Sequence, residues 1–148
     1  MLYVRWVDEW VAGFAKPWVE ELPDLKEQHN IAAMVRLQES TTELTEAIAG
    51  MGFHDLYVPI LDMTAPTIDL VDRILAYIRG HVAAGRKVGV SCMAGQGRTG
   101  TVLSCYLLSK GGYTPRQAMK AAGFVEVSEQ VALVHQYCER LRSRVFAS

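Results

Sequence analysis

The sequence predicts an α/β layered fold, and two observations support this prediction. Short apolar runs rich in β-branched residues, typical of buried strands, alternate along the chain with longer segments whose apolar residues recur at helical spacing. Half of the 148 residues are hydrophobic, which is enough for a sizeable core in one ordinary domain. The chain contains no internal repeat, low-complexity tract or linker. We therefore expect a single domain over residues 1–148.

Five apolar runs predict strands. They are short, contain β-branched and aromatic residues, and are bounded by turn-forming residues. Lys87-Val-Gly-Val-Ser91 is typical of a short strand that is buried on both faces. The predicted strands are Tyr3–Val7, Val11–Phe14, Ile31–Leu37, Leu56–Ile60 and Val88–Ser91.

Six longer segments predict helices. Pro66 near a first turn and an apolar face indicate the clearest amphipathic helix, and Thr114-Pro115 is an N-cap followed by proline at the first helical position. The segment that follows Thr101 is apolar on nearly every side, as a central buried helix would be. The predicted helices cover about 20–29, 43–50, 66–84, 98–110, 115–122 and 128–145.

Composition excludes several classes of function. The net charge of −1 gives no support to binding of nucleic acid or of a membrane surface. No 18-residue apolar run is present, and the first residues lack the plan of a signal peptide. The three cysteines are odd in number and widely spaced, which favours reduced thiols in the cytoplasm. Neither they nor the four histidines have the spacing of metal ligands. We expect a cytoplasmic monomer with no metal and no cofactor.

The stretch between the last predicted strand and the central helix carries the chemistry. It reads VSCMAGQGRTGTV, residues 90–102, with a cysteine and an arginine six positions apart and glycines around them. A tight strand-to-helix turn directs backbone N–H groups and a helix dipole at a bound anion. Glycine tolerates positive φ, so its backbone can curl round a phosphate, and arginine grips phosphate with a planar fork. The expected phosphate-binding residues are Met93, Ala94, Gly95, Gln96, Gly97 and Arg98.

The same stretch contains a candidate nucleophile. Cleavage of a phosphate ester by cysteine requires a thiolate at neutral pH, and converging amides with a helix N-terminus favour that thiolate. Cys92 stands where those amides converge, and the hydroxyl of Thr99 can stabilise the thiolate when it leaves a phosphoenzyme. A buried structural thiol is the alternative for any free cysteine. The surrounding glycines and Arg98 favour the nucleophile.

These residues resemble a known family. Cys92-x5-Arg98-Thr99-Gly100 resembles the signature of the cysteine-dependent protein tyrosine phosphatases, and the chain is most similar to the small one-domain atypical dual-specificity members. Ala12-Gly-Phe-Ala-Lys-Pro17 resembles their opening strand and turn. The resemblance implies a tyrosine-phosphatase-like fold, with a central mixed sheet of about five strands flanked by helices. It also implies that a phosphoprotein or phosphopeptide is the substrate.

Two further segments extend the resemblance. Val58-Pro-Ile-Leu-Asp-Met-Thr-Ala-Pro66 is similar to the general-acid loop, with Asp62 at the acid position. Glu126-Val-Ser-Glu-Gln130 is similar to the late segment whose glutamine helps to place the hydrolytic water. The expected catalytic residues are thus Cys92, Asp62, Arg98, Thr99 and Gln130. Asp62 has a competing interpretation as a turn aspartate, and Gln130 as a glutamine of an ordinary first helical turn.

The chain also departs from the family pattern. Ser91 stands where histidine is usual, and Ala121-Ala-Gly123 stands where Arg-Pro-Gly is often found. Phosphoinositide phosphatases of the same superfamily carry lysines at the positions of Met93 and Gln96. The neutral residues here favour phosphotyrosine, with phosphoserine and phosphothreonine as further substrates.

Other functions stay open at this point. A pseudo-phosphatase that captures phosphoproteins without turnover would keep the same loop, although the joint presence of Cys92, Arg98, Thr99 and Asp62 argues against it. A phosphatase of phosphoinositides or of RNA 5′-phosphates is a second alternative. A rhodanese-like sulfurtransferase also uses a cysteine loop but needs no distant acid. Cys105 and Cys138 lie on apolar helix faces and are expected to be core residues.

Overall fold

The computed structural model describes residues 2–147, with side chains to residue 144, and it confirms the α/β layered fold. Its strands are β1 Arg5–Trp6, β2 Val11–Ala15, β3 Ile31–Arg36, β4 His54–Tyr57 and β5 Lys87–Cys92. A 3₁₀ turn at Val19–Glu21 leads into the first helix. The helices are α1 Leu22–Glu27, α2 Thr42–Gly50, α3 Ile68–Ala83, α4 Gly97–Lys110, α5 Pro115–Ala122 and α6 Ser128–Ala147.

The strands form one mixed sheet in the order β1-β2-β5-β3-β4. β1 is antiparallel to β2, and the other neighbouring pairs are parallel. Because parallel strands share a direction, their carboxyl ends meet at one edge of the sheet. Ala15 pairs with Cys92 at that edge, and Arg36 pairs with Ser91. The predicted nucleophile therefore lies where α/β sheets bind ligands.

Apolar side chains cover both faces of the sheet. Met34 faces the cluster formed with α1 and α2, whereas Val35 faces the larger cluster formed with α3 to α6. This alternation is the ordinary two-residue period of a strand. Gly89 lies against the ring of Phe14, where a Cβ atom would collide with the ring. α4 is buried from Gly97 to Leu108, as predicted for a central helix.

Some element boundaries were predicted wrongly. The strand expected at Leu56–Ile60 occupies His54–Tyr57 instead. Its first residues are polar because β4 is an edge strand, and its Asp55 carboxylate binds the guanidinium of Arg36 at 2.7 and 2.8 Å. Regular pairing ends at Tyr57, although the N–H groups of Val58 and Ile60, on either side of Pro59, still donate to the carbonyls of Arg36 and Leu37. The first strand is also shorter than predicted, since only Arg5–Trp6 pairs with β2.

Asp8 joins the turn between β1 and β2 to the central helix. Its carboxylate accepts hydrogen bonds from the N–H groups of Trp10 and Val11, the hydroxyl of Tyr106 and the ammonium of Lys110. Burial by itself raises the pKa of this carboxyl. The donors outweigh burial, Lys110 and Tyr106 foremost, and hold the pKa of Asp8 below its ordinary value of 3.8. The ionised carboxylate therefore stabilises the folded state.

Replacement of Asp8 by asparagine is expected to lower the free energy of unfolding at neutral pH by about 1–3 kcal/mol, because hydrogen bonds to a partly buried charge are lost. A depressed folded-state pKa gives stability that is present above the ordinary value of 3.8 and is lost as the pH falls below it. The difference between variant and wild type in urea unfolding should therefore shrink from neutral pH to about pH 3. Glu46→Gln, which alters an exposed carboxylate of α2, is the control. An equal difference at both pH values would contradict this role of Asp8.

Candidate active site

Cys92 is the last residue of β5, and only 2% of it is exposed. The chain leaves the sheet after it and enters α4 at Gly97, so residues 93–96 form a short loop at the carboxyl edge of the sheet. The N–H of Lys16, which follows β2, donates to the carbonyl of Met93 at 3.3 Å. Of the predicted phosphate-binding residues, Met93, Ala94, Gly95 and Gln96 form this loop, and Gly97 and Arg98 are the first two residues of α4.

Glycine is required at positions 95, 97 and 100 for different structural reasons. Gly95 has a φ of +71°, and a Cβ atom there would meet the backbone of β2. The positive-φ explanation holds only for this residue of the three. At Gly97 a Cβ atom would meet the carboxylate of Glu126, and at Gly100 it would meet the carbonyl of Phe124. These two glycines make room for the connection between α5 and α6.

Arg98 is buried beneath the loop and held by backbone carbonyls. Its Nη1 donates to the carbonyl of Ile60 at 2.8 Å and to that of Leu37 at 3.4 Å. Within the described residues, Arg98 Nε and Thr99 Oγ1 are buried and have no hydrogen-bond partner. Buried polar groups are nearly always paired. These two unpaired donors belong to consecutive residues at the start of α4. They indicate a site where the oxygen atoms of a ligand accept hydrogen bonds from Arg98 and Thr99.

Asp62 lies across the opening from Arg98. Its side chain is 66% exposed, and Oδ1 is 3.4 Å from Nη2 of Arg98. The same oxygen accepts the N–H of Met63, a residue with a φ of +63°, so the aspartate also stabilises its own turn. The cleft between the two residues measures about 180 Å³ and is lined by Gln38, Glu39, Ile60, Leu61, Asp62, Met93 and Arg98.

Gln130 is buried in the first turn of α6 and bonded through both ends of its amide. Its Oε1 accepts the N–H groups of Glu126 and Val127 at 3.0 and 3.3 Å. Its Nε2 donates to the carbonyl of Thr64 at 3.2 Å. The side chain therefore joins the connection before α6 to the loop that carries Asp62.

Ser91, which stands where histidine is usual, turns towards the neighbouring strand. Its hydroxyl donates to Oε1 of Gln38 at 3.1 Å, and both side chains are buried. This bond joins the ends of β5 and β3 beneath the cleft and makes no contact with the loop carbonyls. Ser91 thus supports the floor of the site.

Two residues at the loop were not predicted from the sequence. Glu126 accepts the N–H of Gly97 at 3.0 Å, so its carboxylate caps the start of α4. Arg5 donates from Nη2 to the carbonyl of Gly95 at 3.2 Å and from Nε to that of Ala122 at 3.1 Å. The only signal for Arg5 is its position as a lone charge in the otherwise apolar run from residue 2 to residue 7.

The other cysteines lie away from this chemistry. Cys105 is fully buried in α4, and burial raises the pKa of its thiol far above the ordinary value, as expected for a core residue. Cys138 is buried on α6. Among residues 2–147, no three histidine, cysteine or acidic side chains come together as metal ligands. No helix in the same part of the chain has both the length and the apolar character needed to cross a membrane.

The fold and the site define a class of protein, the cysteine-dependent phosphatases. Residues 11–112 match the model of a family described as Tc-R-P, the DSP-PTPase phosphatases of polymorphic toxin systems, and the chain belongs to this family. The matched range includes Asp62 and the whole of the Cys92–Arg98 loop. The resemblance to atypical dual-specificity phosphatases is thereby confirmed.

Sequence and structure comparisons extend this result. The uncharacterized protein MJECL20 of Methanocaldococcus jannaschii is 40% identical over 61% of this chain, and the match spans 63% of that protein's length. The crystal structure of Tk-PTP in its active form has a TM-score of 0.84 and 31% identity, covering 93% of this chain and 97% of the other. The mixed sheet and its flanking helices are therefore those of the tyrosine-phosphatase fold.

Relatives with named activities differ in substrate. The human dual specificity protein phosphatase CDC14A is 34% identical over 55% of this chain and 13% of its own length. The Arabidopsis thaliana phosphatidylglycerophosphate phosphatase PTPMT1 is 27% identical over 77% of this chain and 35% of its own. Relatives of this chain thus include both a protein phosphatase and a lipid phosphatase, so their names do not determine its substrate.

Proposed function

We propose that this chain hydrolyses phosphotyrosine in proteins, with phosphoserine and phosphothreonine as further substrates, through a cysteinyl-phosphate intermediate. The observation that carries the proposal is the pair of buried, unpartnered groups Arg98 Nε and Thr99 Oγ1 at the loop that follows Cys92. A phosphoryl group bound over the sulfur supplies oxygen atoms to Arg98. The Thr99 hydroxyl then donates to the sulfur or to a phosphoryl oxygen.

In the first step the Cys92 thiolate attacks phosphorus, a sulfur–phosphorus bond forms, and the bond from phosphorus to the leaving oxygen breaks. Protonated Asp62 gives its proton to that oxygen. Arg98 and the loop amides stabilise the negative charge on the equatorial oxygens of the transition state. The position of Asp62, exposed at the cleft and 3.4 Å from Arg98, supports this role.

In the second step a water oxygen attacks phosphorus and the sulfur–phosphorus bond breaks. Asp62, now ionised, takes the water proton, and the Thr99 hydroxyl stabilises the departing thiolate. Gln130 helps to place the water. Its Nε2 carries two hydrogens, of which one is donated to Thr64, so a second donor is available for a water at the loop.

The surroundings of the cleft favour an aromatic monophosphate. Exposed apolar side chains stand on the segments that flank it, at Trp18, Leu61, Met63 and Met93. Among the described residues that line the cleft, Arg98 is the one cation, while Glu39 and Asp62 are acidic. A polyphosphorylated ring would bring further negative charge against these carboxylates, whereas a tyrosine ring gains contact with the apolar rim.

A lipid phosphomonoester is the second candidate. The exposed apolar residues at the cleft suit acyl chains as well as aromatic rings, and a lipid phosphatase is among the relatives. The glycerol headgroup of phosphatidylglycerophosphate carries one phosphomonoester beside the phosphodiester, and therefore less negative charge than a polyphosphorylated inositol ring. The two candidates differ in leaving group, since one is a phenol and the other an alkyl alcohol.

Turnover of a substrate panel tests the proposal. The panel contains a phosphotyrosine peptide, a phosphothreonine peptide, dispersed short-chain phosphatidylglycerophosphate, a phosphoinositide and a 5′-triphosphate RNA. We expect the phosphotyrosine peptide to have a kcat/KM at least about tenfold above the others, which corresponds to about 1.4 kcal/mol in transition-state binding. Cys92→Ser is the control for contaminating activity. A higher kcat/KM for the lipid would favour the second candidate, and binding of phosphopeptide without turnover would indicate a binding module.

Asp62→Asn tests the assignment of the general acid. The variant should lose about 100-fold or more in kcat on phosphotyrosine peptide, because a poor leaving group needs a proton, and far less in the first step with an activated aryl phosphate. Glu39→Gln removes a carboxylate from the same cleft and should leave the ratio of the two rates unchanged. The measurement is the pre-steady-state rate at which each leaving group, the tyrosine peptide or the activated phenol, is released. An equal loss of rate on both substrates would mean that Asp62 only stabilises its own turn and is not the general acid.

A further inference from the structure

We propose that Arg5 is a positioning residue of the phosphate site. From β1 it holds the carbonyl of Gly95 away from the bound phosphate, and it ties the loop to the end of α5. This inference rests on the proposed function only in naming phosphate as the ligand. It assigns a role to a residue that lies outside the Cys92–Arg98 loop and outside the family match over residues 11–112.

The contacts of Arg5 are specific. Nη2 donates to the carbonyl of Gly95 at 3.2 Å, and Nε donates to the carbonyl of Ala122 at 3.1 Å. Gly123 follows with a φ of +105°, and a Cβ atom there would lie 2.6 Å from Nε of Arg5. A side chain at position 123 would therefore collide with the guanidinium of Arg5, and glycine avoids this collision. Ala122 and Gly123 belong to the segment where the resembling family often has an arginine.

The bond to Gly95 controls the direction of an amide in the loop. A peptide group is planar and trans, so its carbonyl and the next N–H point in opposite directions. When Arg5 fixes the Gly95 carbonyl outward, the N–H of Gln96 is fixed towards the inside of the loop. Gly95 has no Cβ and can therefore reach other backbone conformations at little cost. A peptide turned the other way would direct a carbonyl dipole at the phosphate and remove one donor.

The second bond extends this restraint to the connection between α5 and α6. Ala122 is the last residue of α5, where a cation interacts favourably with the negative end of the helix. The same connection carries Glu126, which accepts the N–H of Gly97. Residues 122–126 are therefore linked twice to the end of the loop and the start of α4, once through Arg5, which bridges Ala122 and Gly95, and once directly from Glu126 to Gly97. Arg5 holds Gly95 and Glu126 holds Gly97, so the residues on both sides of Gln96 are fixed.

Protection of Cys92 against iodoacetate by inorganic phosphate tests the proposal without any need for turnover. In Arg5→Gln the phosphate concentration that gives half-protection should rise about tenfold, as for the loss of a hydrogen bond to a charged group. In Arg5→Lys it should rise about threefold, since a lysine keeps the charge but cannot hold two carbonyls with one planar fork. KM for an aryl phosphate should rise in parallel.

Arg86→Gln is the matched control. Arg86 is also half-buried, and its Nε donates to Nδ1 of His81 at 2.8 Å, but it lies before β5 at the opposite end of the sheet. Its replacement should lower the melting temperature and leave phosphate protection as in the wild type.

The proposal is overturned if Arg5→Gln and Arg5→Lys both keep wild-type phosphate protection, because Arg5 would then only join β1 to α5. If Arg5→Gln does not fold, Arg5→Lys alone tests the proposal: a threefold rise in the phosphate concentration for half-protection supports it, and an unchanged concentration overturns it. Absence of turnover in the wild type, with phosphate protection intact, would count against the proposed function and leave the test of Arg5 unaffected.

Discussion

The four-residue turn between β5 and α4 is the constraint on which the rest of the structure depends. To bind an anion, its amides have to face inward, and this requires firm contacts on the outside. The backbone of β2 contacts the turn at Gly95, and the connection before α6 contacts α4 at Gly97 and Gly100. At each of these positions a Cβ atom would collide with the neighbouring element, so only glycine allows the elements to approach the loop this closely.

The site combines parts that are distant in sequence. Arg98 binds the carbonyls of Leu37 and Ile60, which follow β3 and β4, and Gln130 joins α6 to the loop of Asp62. Phosphate binding and the proposed proton transfer therefore depend on the same packed edge of the sheet. The rim is a separate feature. Its apolar side chains make no hydrogen bonds that hold the loop, so the rim can differ between relatives with different substrates while the loop stays the same.

The sequence predicted the strands, the helices and the segment of the Cys92–Arg98 loop, because each of these depends on local pattern, whereas the mixed sheet was implied by the family resemblance. Hydrophobic periodicity is strong in α3, and the spacing of cysteine, glycine and arginine is contained in one short segment. The start of β4 was missed because this edge strand begins with the polar residues His54 and Asp55, of which Asp55 binds Arg36. Arg5 and Glu126 were missed because their partners are 90 and 29 residues away and appear only in the folded chain.

Chemical trapping of the intermediate tests the central claim most directly. Wild type and Asp62→Asn are mixed with an activated aryl phosphate, quenched within the first turnover and digested with trypsin, which releases residues 88–98 as one peptide. The activated leaving group does not need the acid in the first step, while the variant lacks the base for the second, so phosphate should accumulate on Cys92 of the variant. Aryl phosphate turnover without phosphate on that peptide in either protein would contradict a cysteinyl-phosphate mechanism.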